Sequence, residues 1–404
     1  MEKISILDTA MNPRLQRESI GPRFGLSYFL FFAIYGIASP YLPILLRGIG
    51  YSPGLVGVYL GIFELIGIGG PIFLAKRADA RGKYNPYLQG SGFSILVGLL
   101  ILVAWKSPVV TILSLGLISL GLKTPISVLD AALIKTIDRG ERSKKKLPSY
   151  GALRSLGSLG FVVVTLSVQF IPGFDTSPAW VMALAMAALT LAYMLGLTLL
   201  PEAGTKPEEK NRKRLDLSWI DQSFILCILI IALSRLSMSA YTSFFSLYLM
   251  EYLNWHTVGA MSALAAVVEI PMLMLSRRVM RKYSPIGIIQ LSSIAVILRL
   301  LAYALFPTKG GVILGQVLHS VSYGLFHPAA VTLISLKTPP SERATGISIL
   351  VGIGMGLPVF LGSSIGGLVI EAVGYRWLFA IFSLFSMGSI ALYRTKGGYL
   401  RNLR

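Results

Sequence analysis

Seven formally charged side chains and two histidines sit inside long apolar stretches of this chain: Glu64, Lys123, Asp130, Arg154, Arg235, Glu269, Arg299, His319 and His327. A charge in the middle of such a stretch costs roughly 2.5–3.5 kcal/mol to place in lipid, so seven unpaired charges would cost on the order of 20 kcal/mol. Four are positive and three negative, and near-balance of that kind points to pairing across a shared cavity. The chemistry open to such groups is binding of a polar solute and proton exchange. A carboxylate shut away from water favours its neutral form, and an adjacent guanidinium favours the charged one. A solute arriving between the two therefore changes proton occupancy.

Spacing refines this. Lys123 and Asp130 are seven residues apart, so they share one helix face about two turns from each other and address different depths of one cavity. Plainer roles stand beside the functional ones. Arg154 lies close to the end of its stretch and can snorkel to the interface. Glu64 and Arg235 can serve as structural ion pairs, and His319 can be a neutral imidazole bonded to a carbonyl. His327 precedes Pro328, and Lys123 is near Pro125; both can answer backbone groups freed by a kink.

These residues need membrane-spanning elements to hold them. The chain has 404 residues, of which 54% are hydrophobic and only 14% charged, against about a quarter charged in soluble proteins. That excludes soluble globules and disorder. A span needs about 20 mostly apolar residues. Segments of that kind run over 24–46, 54–74, 86–105, 108–134, 150–171 and 178–200, and then over 222–249, 257–276, 285–305, 311–335, 344–370 and 375–393. The pattern predicts an all-α membrane protein of about twelve spans in two six-helix bundles, 24–200 and 222–393. A leader (1–23), a polar central loop (201–221) containing Lys206-Pro-Glu-Glu-Lys-Asn-Arg-Lys-Arg214, and a tail (394–404) complete it. The leader is polar before Phe24, so it reads as cytoplasmic and not as a cleaved signal.

With connections assigned alternately, the leader side carries 29 basic residues and the opposite side 4. That asymmetry is the positive-inside pattern. Both termini and the central loop are expected in the cytoplasm, in a multi-pass protein of the cytoplasmic (inner) membrane. The net charge of +19 then reflects topology and contact with membrane lipids, not nucleic-acid binding. Seven prolines (40, 43, 71, 125, 271, 328 and 358) fall inside spans, which suits a molecule that bends. Glycines four apart, 352/356 and 362/366, suit close helix packing. Two twelve-residue connections, 46–57 and 248–259, both end in Val-Gly, a faint match that fits parallel repeats about an axis normal to the membrane.

Other chemistries lack their residues. There is no phosphate-cradling Gly-x-x-x-x-Gly-Lys-Ser/Thr and no His-Glu-x-x-His helix, and no Gly-x-Ser-x-Gly nucleophile elbow stands out. The single cysteine, Cys227, cannot build a disulfide framework or thiolate metal site. The reading is not an enzyme, with no cofactor and no metal.

The chain as a whole resembles the major facilitator superfamily, and within it the phenylpropionate-permease and lactose-permease-like branch. The resemblance rests on Tyr35-Gly-x-x-x-Pro40-Tyr-Leu-Pro-Ile-x-Leu46 and Gly50-Tyr-Ser-Pro-x-x-Val-Gly57. The hairpin Ala78-Asp79-Ala-Arg81-Gly82-Lys83 is a degenerate form of the superfamily's loop signature. Further along come Pro125-x-x-x-x-Asp130-Ala, Tyr150-Gly-x-x-Arg154-x-x-Gly-Ser-x-Gly-Phe161, Glu269-Ile-Pro, Leu298-Arg299 and His319-x-x-x-Tyr-Gly-Leu-Phe-His327. Lys123 and Arg235, charged in mid-span, are expected to face substrate, and the resemblance implies that Asp130 and Arg154 form an acid–base pair holding it, with Glu269 joining binding to protonation. It implies proton coupling through Glu269, Arg299, His319, His327 and Asp130, and a conformational role for Asp79, Arg81, Gly82 and Lys83. Two departures stand out. Where lactose permease has a carboxylate one turn after the histidine, this chain has Ser322, and the second-half hairpin, Arg277-Arg-Val-Met-Arg-Lys282, lacks an acid.

The expected activity is secondary active transport of a small organic solute, aryl acid or sugar-like, by alternating access with proton symport. Its partners would be the solute, protons and lipids, and the protein a monomer. Efflux or lipid movement on the same fold, or a non-transporting membrane sensor, are the rival readings.

Overall fold

The computed structural model describes residues 20–142, 148–200 and 217–396. Most of the leader (1–23) and of the central loop (201–221), and the end of the tail (394–404), lie outside the described residues. Twelve helices are long and apolar enough to cross a membrane: α1 (Gly21–Ile49), α2 (Pro53–Arg81), α3 (Asn85–Ala104), α4 (Pro108–Ile137), α5 (Tyr150–Gln169), α6 (Ala179–Thr198), α7 (Gln222–Tyr252), α8 (Val258–Lys282), α9 (Pro285–Leu305), α10 (Lys309–Lys337), α11 (Pro340–Val373) and α12 (Tyr375–Lys396). Among the described residues there is no strand.

Several helices outrun the apolar stretches that announce them. α2 continues to Arg81 and α8 to Lys282. Their last turns are basic; cations suit the carbonyl end of a helix, and their long stems reach head groups. Start signals are local: Ser52, Ser149, Asp221, Ser284 and Thr308 each cap a helix by accepting a backbone N–H, the usual role of such side chains.

Packing in the first six helices recurs in the second six. In the first set α1 lies against α5 and α6, α2 against α4, and α3 against α4 and α6; in the second, α7 lies against α11 and α12, α8 against α10, and α9 against α10 and α12. Adding six to every label reproduces the pattern, the signature of a parallel repeat. α1 and α7 are the most enclosed spans. α3, α6, α9 and α12 turn Phe93, Leu100, Leu184, Leu195, Leu298 and Leu384 outward, where lipid takes up apolar surface.

The two halves meet along α2–α11 and α5–α8, with α1 beside α7. The recurrent Val-Gly explains itself here. A Cβ on Gly57 would meet the Ser363 carbonyl and the Gly367 backbone of α11, and one on Gly259 would meet the Thr165 carbonyl of α5. Each glycine lets one half's backbone touch the other's. The second pair of four-spaced glycines, Gly362 and Gly366, packs on Ser239 and Phe244 of α7. The first, Gly352 and Gly356, faces Ile68 of α2 and lies in a π-helical stretch, Leu350–Gly356.

Polar contacts between the halves cluster at the end away from the leader. Arg47 Nε donates to Glu251 Oε1 at 2.5 Å, with Tyr375 bonded to the other carboxylate oxygen at 2.7 Å. Gly54 N, in the first turn of α2, donates to Glu371 of α11 at 2.9 Å. Gln169 of α5 accepts from Ala260 N and donates to the His256 carbonyl, while His256 lies 3.2 Å from Asp175. These contacts tie the halves together at the far face. At the leader face no such ties join the halves among the described residues, and Tyr150 and His327 are exposed.

Candidate functional site

Between the halves lies a cavity of about 330 Å³, near the lower end of the roughly 300–1,000 Å³ typical of small-molecule sites. Tyr35 of α1, Glu64 of α2 and Lys123 of α4 line it from one half. Arg235 of α7, Glu269 of α8, and His319 and Tyr323 of α10 line it from the other. Glu64 lies roughly 16 Å along its helix and Arg235 roughly 20 Å along its own, at 1.5 Å per residue, so both are near mid-membrane.

In the first half the charges are matched. Lys123 Nζ donates to both Glu64 oxygens, at 2.9 and 3.2 Å, and sits 5.5 Å from the Phe63 ring. Glu64 thus pairs with Lys123 and not with Arg235.

In the second half a chain of contacts runs from Arg299 to the cavity. Arg299 is 2% exposed, its guanidinium 3.4 Å from the Tyr241 ring centroid. It donates to Tyr303 Oη at 3.0 Å, to Gln316 Oε1 at 2.8 Å and to His319 Nδ1 at 2.8 Å. An arginine can only donate, so Nδ1 must accept, and the imidazole carries its proton on Nε2. Nε2 lies 3.5 Å from Glu269 Oε2. The aromatic ring of Tyr323 stacks on His319 at 5.4 Å and on His327 at 6.2 Å, the natural consequence of residues four apart on one helix face.

Arg235 has no such company. Its Nε and Nη1 are shut away from solvent and make no hydrogen bond among the described residues, and the Tyr35 hydroxyl is in the same condition. The nearest aromatic partner of the guanidinium is Tyr323, at 5.7 Å.

The remaining expected residues lie apart from the cavity wall. Asp130 and Arg154 are 3.9 Å from each other. Tyr28 donates to Asp130 at 2.5 Å, and Arg154 lies over Phe32 at 4.1 Å. Asp130 is about 10 Å along α4 from Lys123, toward the leader face, so the pair sits on the approach to the cavity. Arg154 is therefore held by an acid and a ring and does not simply snorkel. Arg299 acts from behind His319, and His327 lies one turn beyond Tyr323 toward the leader face. In the hairpin, Asp79 accepts from Tyr84 at 2.7 Å and from Lys135 at 2.9 Å. Gly82 closes α2 in the left-handed conformation, at φ 64°. These contacts tie α2, α3 and α4 within one half.

Sequence reasoning did not single out the aromatic wall, Tyr35, Tyr241 and Tyr323, as site residues. The spacing of Tyr323 midway between two histidines was the available signal. Tyr35 stood in a family motif with no role attached, and Tyr241 gave no signal, because tyrosines are common in spans.

A model of the MFS_1 like family matches residues 23–381. Among curated proteins, the chain is 25% identical to a "Probable 3-phenylpropionic acid transporter" of Escherichia coli, over 90% of this chain and 95% of that one. It is 23% identical to the "Maltose permease" of Geobacillus stearothermophilus, over 91% of each. Among solved structures, a nucleoside transporter superposes with a TM-score of 0.83 at 15% identity, covering 93% of this chain and 99% of that one.

Proposed function

The chain belongs to the MFS_1 like family, multi-pass membrane transporters of small solutes, and on that premise we propose that it is a secondary active carrier that couples entry of a small organic solute to protons by alternating access. The observation that carries this is the cavity itself: acid, base and aromatic groups from both halves converge at mid-membrane, and the polar ties between the halves among the described residues lie at the far face. Rocking of the halves about their pseudo-twofold axis would close the leader face and open the far one. The 29-to-4 distribution of basic residues supports a cytoplasmic leader face, in a protein of the cytoplasmic membrane.

Glu269 is the proton carrier in this reading. With Arg299 holding Nδ1, His319 offers its one N–H to the Glu269 carboxylate. A solute that engages either group changes how well the charged carboxylate is held, and with it proton occupancy. Asp130, Arg154 and His327 serve the approach from the leader face, and the Asp79 hairpin keeps α2, α3 and α4 moving as one body. The solute class is first an aryl acid, in keeping with the ring-lined wall and the relative named for 3-phenylpropionic acid. A sugar-like solute is second, in keeping with the maltose permease relative.

The test is uptake of labelled 3-phenylpropionate and maltose into proteoliposomes with an imposed pH gradient. Protein-free vesicles subtract passive entry of undissociated acid. Gradient-driven accumulation of one solute is expected; no protein-dependent movement of any solute in a wider panel overturns the proposal.

A further inference from the structure

We propose that the cavity contains a carboxylate subsite between Lys123 and Arg235, in which Glu64 stands in for the solute's carboxylate until the solute displaces it. This rests on the carrier reading and names the chemistry its solute must have.

Glu64 neutralises Lys123 through two hydrogen bonds. Glu269 faces His319, and Arg299 is held by three acceptors behind it. Among the described residues one cation on the cavity wall remains, Arg235, with two nitrogens desolvated and unbonded. A buried polar group without a partner is costly, and a charged one more so. A single negative charge with several acceptor lone pairs satisfies it, and a carboxylate is the smallest organic group that does.

Geometry then places the carboxylate. Arg235 comes from one half and Lys123 from the other, and both line the same small cavity. An anion held by both bridges the halves, which is what a carrier needs if binding is to favour closure. The orphaned Tyr35 hydroxyl supplies a further donor from the Lys123 side. The rest of the solute meets Phe63, Phe161, Tyr241 and Phe245, faces suited to one aromatic ring. A dianion would exceed the one unbalanced cation.

Glu64 gives the proposal its distinctive sign. It already holds Lys123, so it competes with the solute. Removing its charge while keeping its shape must tighten anion binding, whereas a purely structural role for the Glu64–Lys123 pair predicts weaker binding or none.

The experiment is titration calorimetry on the purified full chain with 3-phenylpropionate and its neutral analogue 3-phenylpropionamide. Charge-assisted hydrogen bonds contribute about 1.5–3 kcal/mol, so the wild type should prefer the acid by about tenfold or more. Arg235→Gln should lose that preference, binding the acid about tenfold more weakly and the amide as before. Arg235→Lys should keep part of it. Glu64→Gln should bind the acid several-fold more tightly, with the amide unchanged. Equal or weaker acid binding by Glu64→Gln overturns the proposal, as does full acid preference in Arg235→Gln. The two readings fail separately. Proton-coupled uptake of a neutral sugar or nucleoside that no carboxylate inhibits removes the subsite and keeps the carrier. Acid binding with the predicted variant pattern but no transport of any solute removes the carrier and keeps the subsite.

Discussion

One added methyl group at Gly57 tests the far-face contact between the halves without altering a charge. Its Cβ would run into the Ser363 carbonyl and the Gly367 backbone of α11. The obstacle is backbone, so no side chain can rotate aside and the two halves must part. Overpacking of this kind costs roughly 1–3 kcal/mol. At 1.36 kcal/mol per decade, Gly57→Ala should move the balance from far-face-sealed to far-face-open molecules by about 5- to 150-fold. Gly259→Ala meets the Thr165 carbonyl in the symmetry-related interface and should act the same way. The two sites share no partner, so the double variant should add the effects. Gly69, on the same helix as Gly57, has open space around its Cβ position. Gly69→Ala should leave the balance alone and stabilise α2 by up to about 1 kcal/mol through helix propensity. Spin labels at Lys106 and Lys309, in a Cys227→Ser background, read the far-face opening as an electron-resonance distance. Longer distances in both glycine variants, with the control unchanged, are expected. Unchanged distance distributions in Gly57→Ala and Gly259→Ala would refute the reasoning.

Arg299→Met removes three hydrogen bonds and leaves acceptors on Tyr303, Gln316 and His319 unsatisfied in a buried site. Losing one partner of such a network costs about 3–5 kcal/mol, so the melting temperature in detergent should fall by several degrees; an unchanged value contradicts the network. Glu251→Gln weakens the tie to Arg47, whose partners are about one-third exposed, at 31% and 30%. A screened pair of that kind contributes about 0.2–1 kcal/mol, so the same spin-label distances should shift by no more than about fivefold in population. Asp79→Asn withdraws the charge shared by Lys135 and Tyr84. Hydrogen exchange at the leader-side ends of α2, α3 and α4 should quicken, with solute affinity in the cavity unaffected.

Much of this molecule was written in its composition. Lipid leaves a chain of this hydropathy few choices, so the number and approximate placement of the spans followed from length and apolarity alone. Helix ends did not, because Arg81 and Lys282 belong to helices whose basic last turns look like loops to a hydropathy count. The charged residues of the cavity were visible as exceptions to that apolarity, and Lys123, Arg235, Glu269 and His319 do converge on it. Their partners were less legible. Pairing of Glu64 with Lys123 depends on how α2 crosses α4, which no spacing along one helix encodes. Asp130 lies two turns from Lys123 as their spacing predicts, yet it and Arg154 are off the cavity wall, toward the leader face. The recurrent Val-Gly was a faint signal in the sequence. It became informative once Gly57 and Gly259 proved to occupy equivalent cross-half contacts.

The account stands most directly on the coupling assigned to Glu269. Uptake of labelled solute should be measured in proteoliposomes with and without a pH gradient, in wild type and Glu269→Gln, together with exchange at equal pH. A glutamine at this position accepts the His319 N–H but cannot take up or release a proton. The account predicts that Glu269→Gln loses gradient-driven accumulation far more severely than exchange. Accumulation as steep in the variant as in the wild type would contradict it.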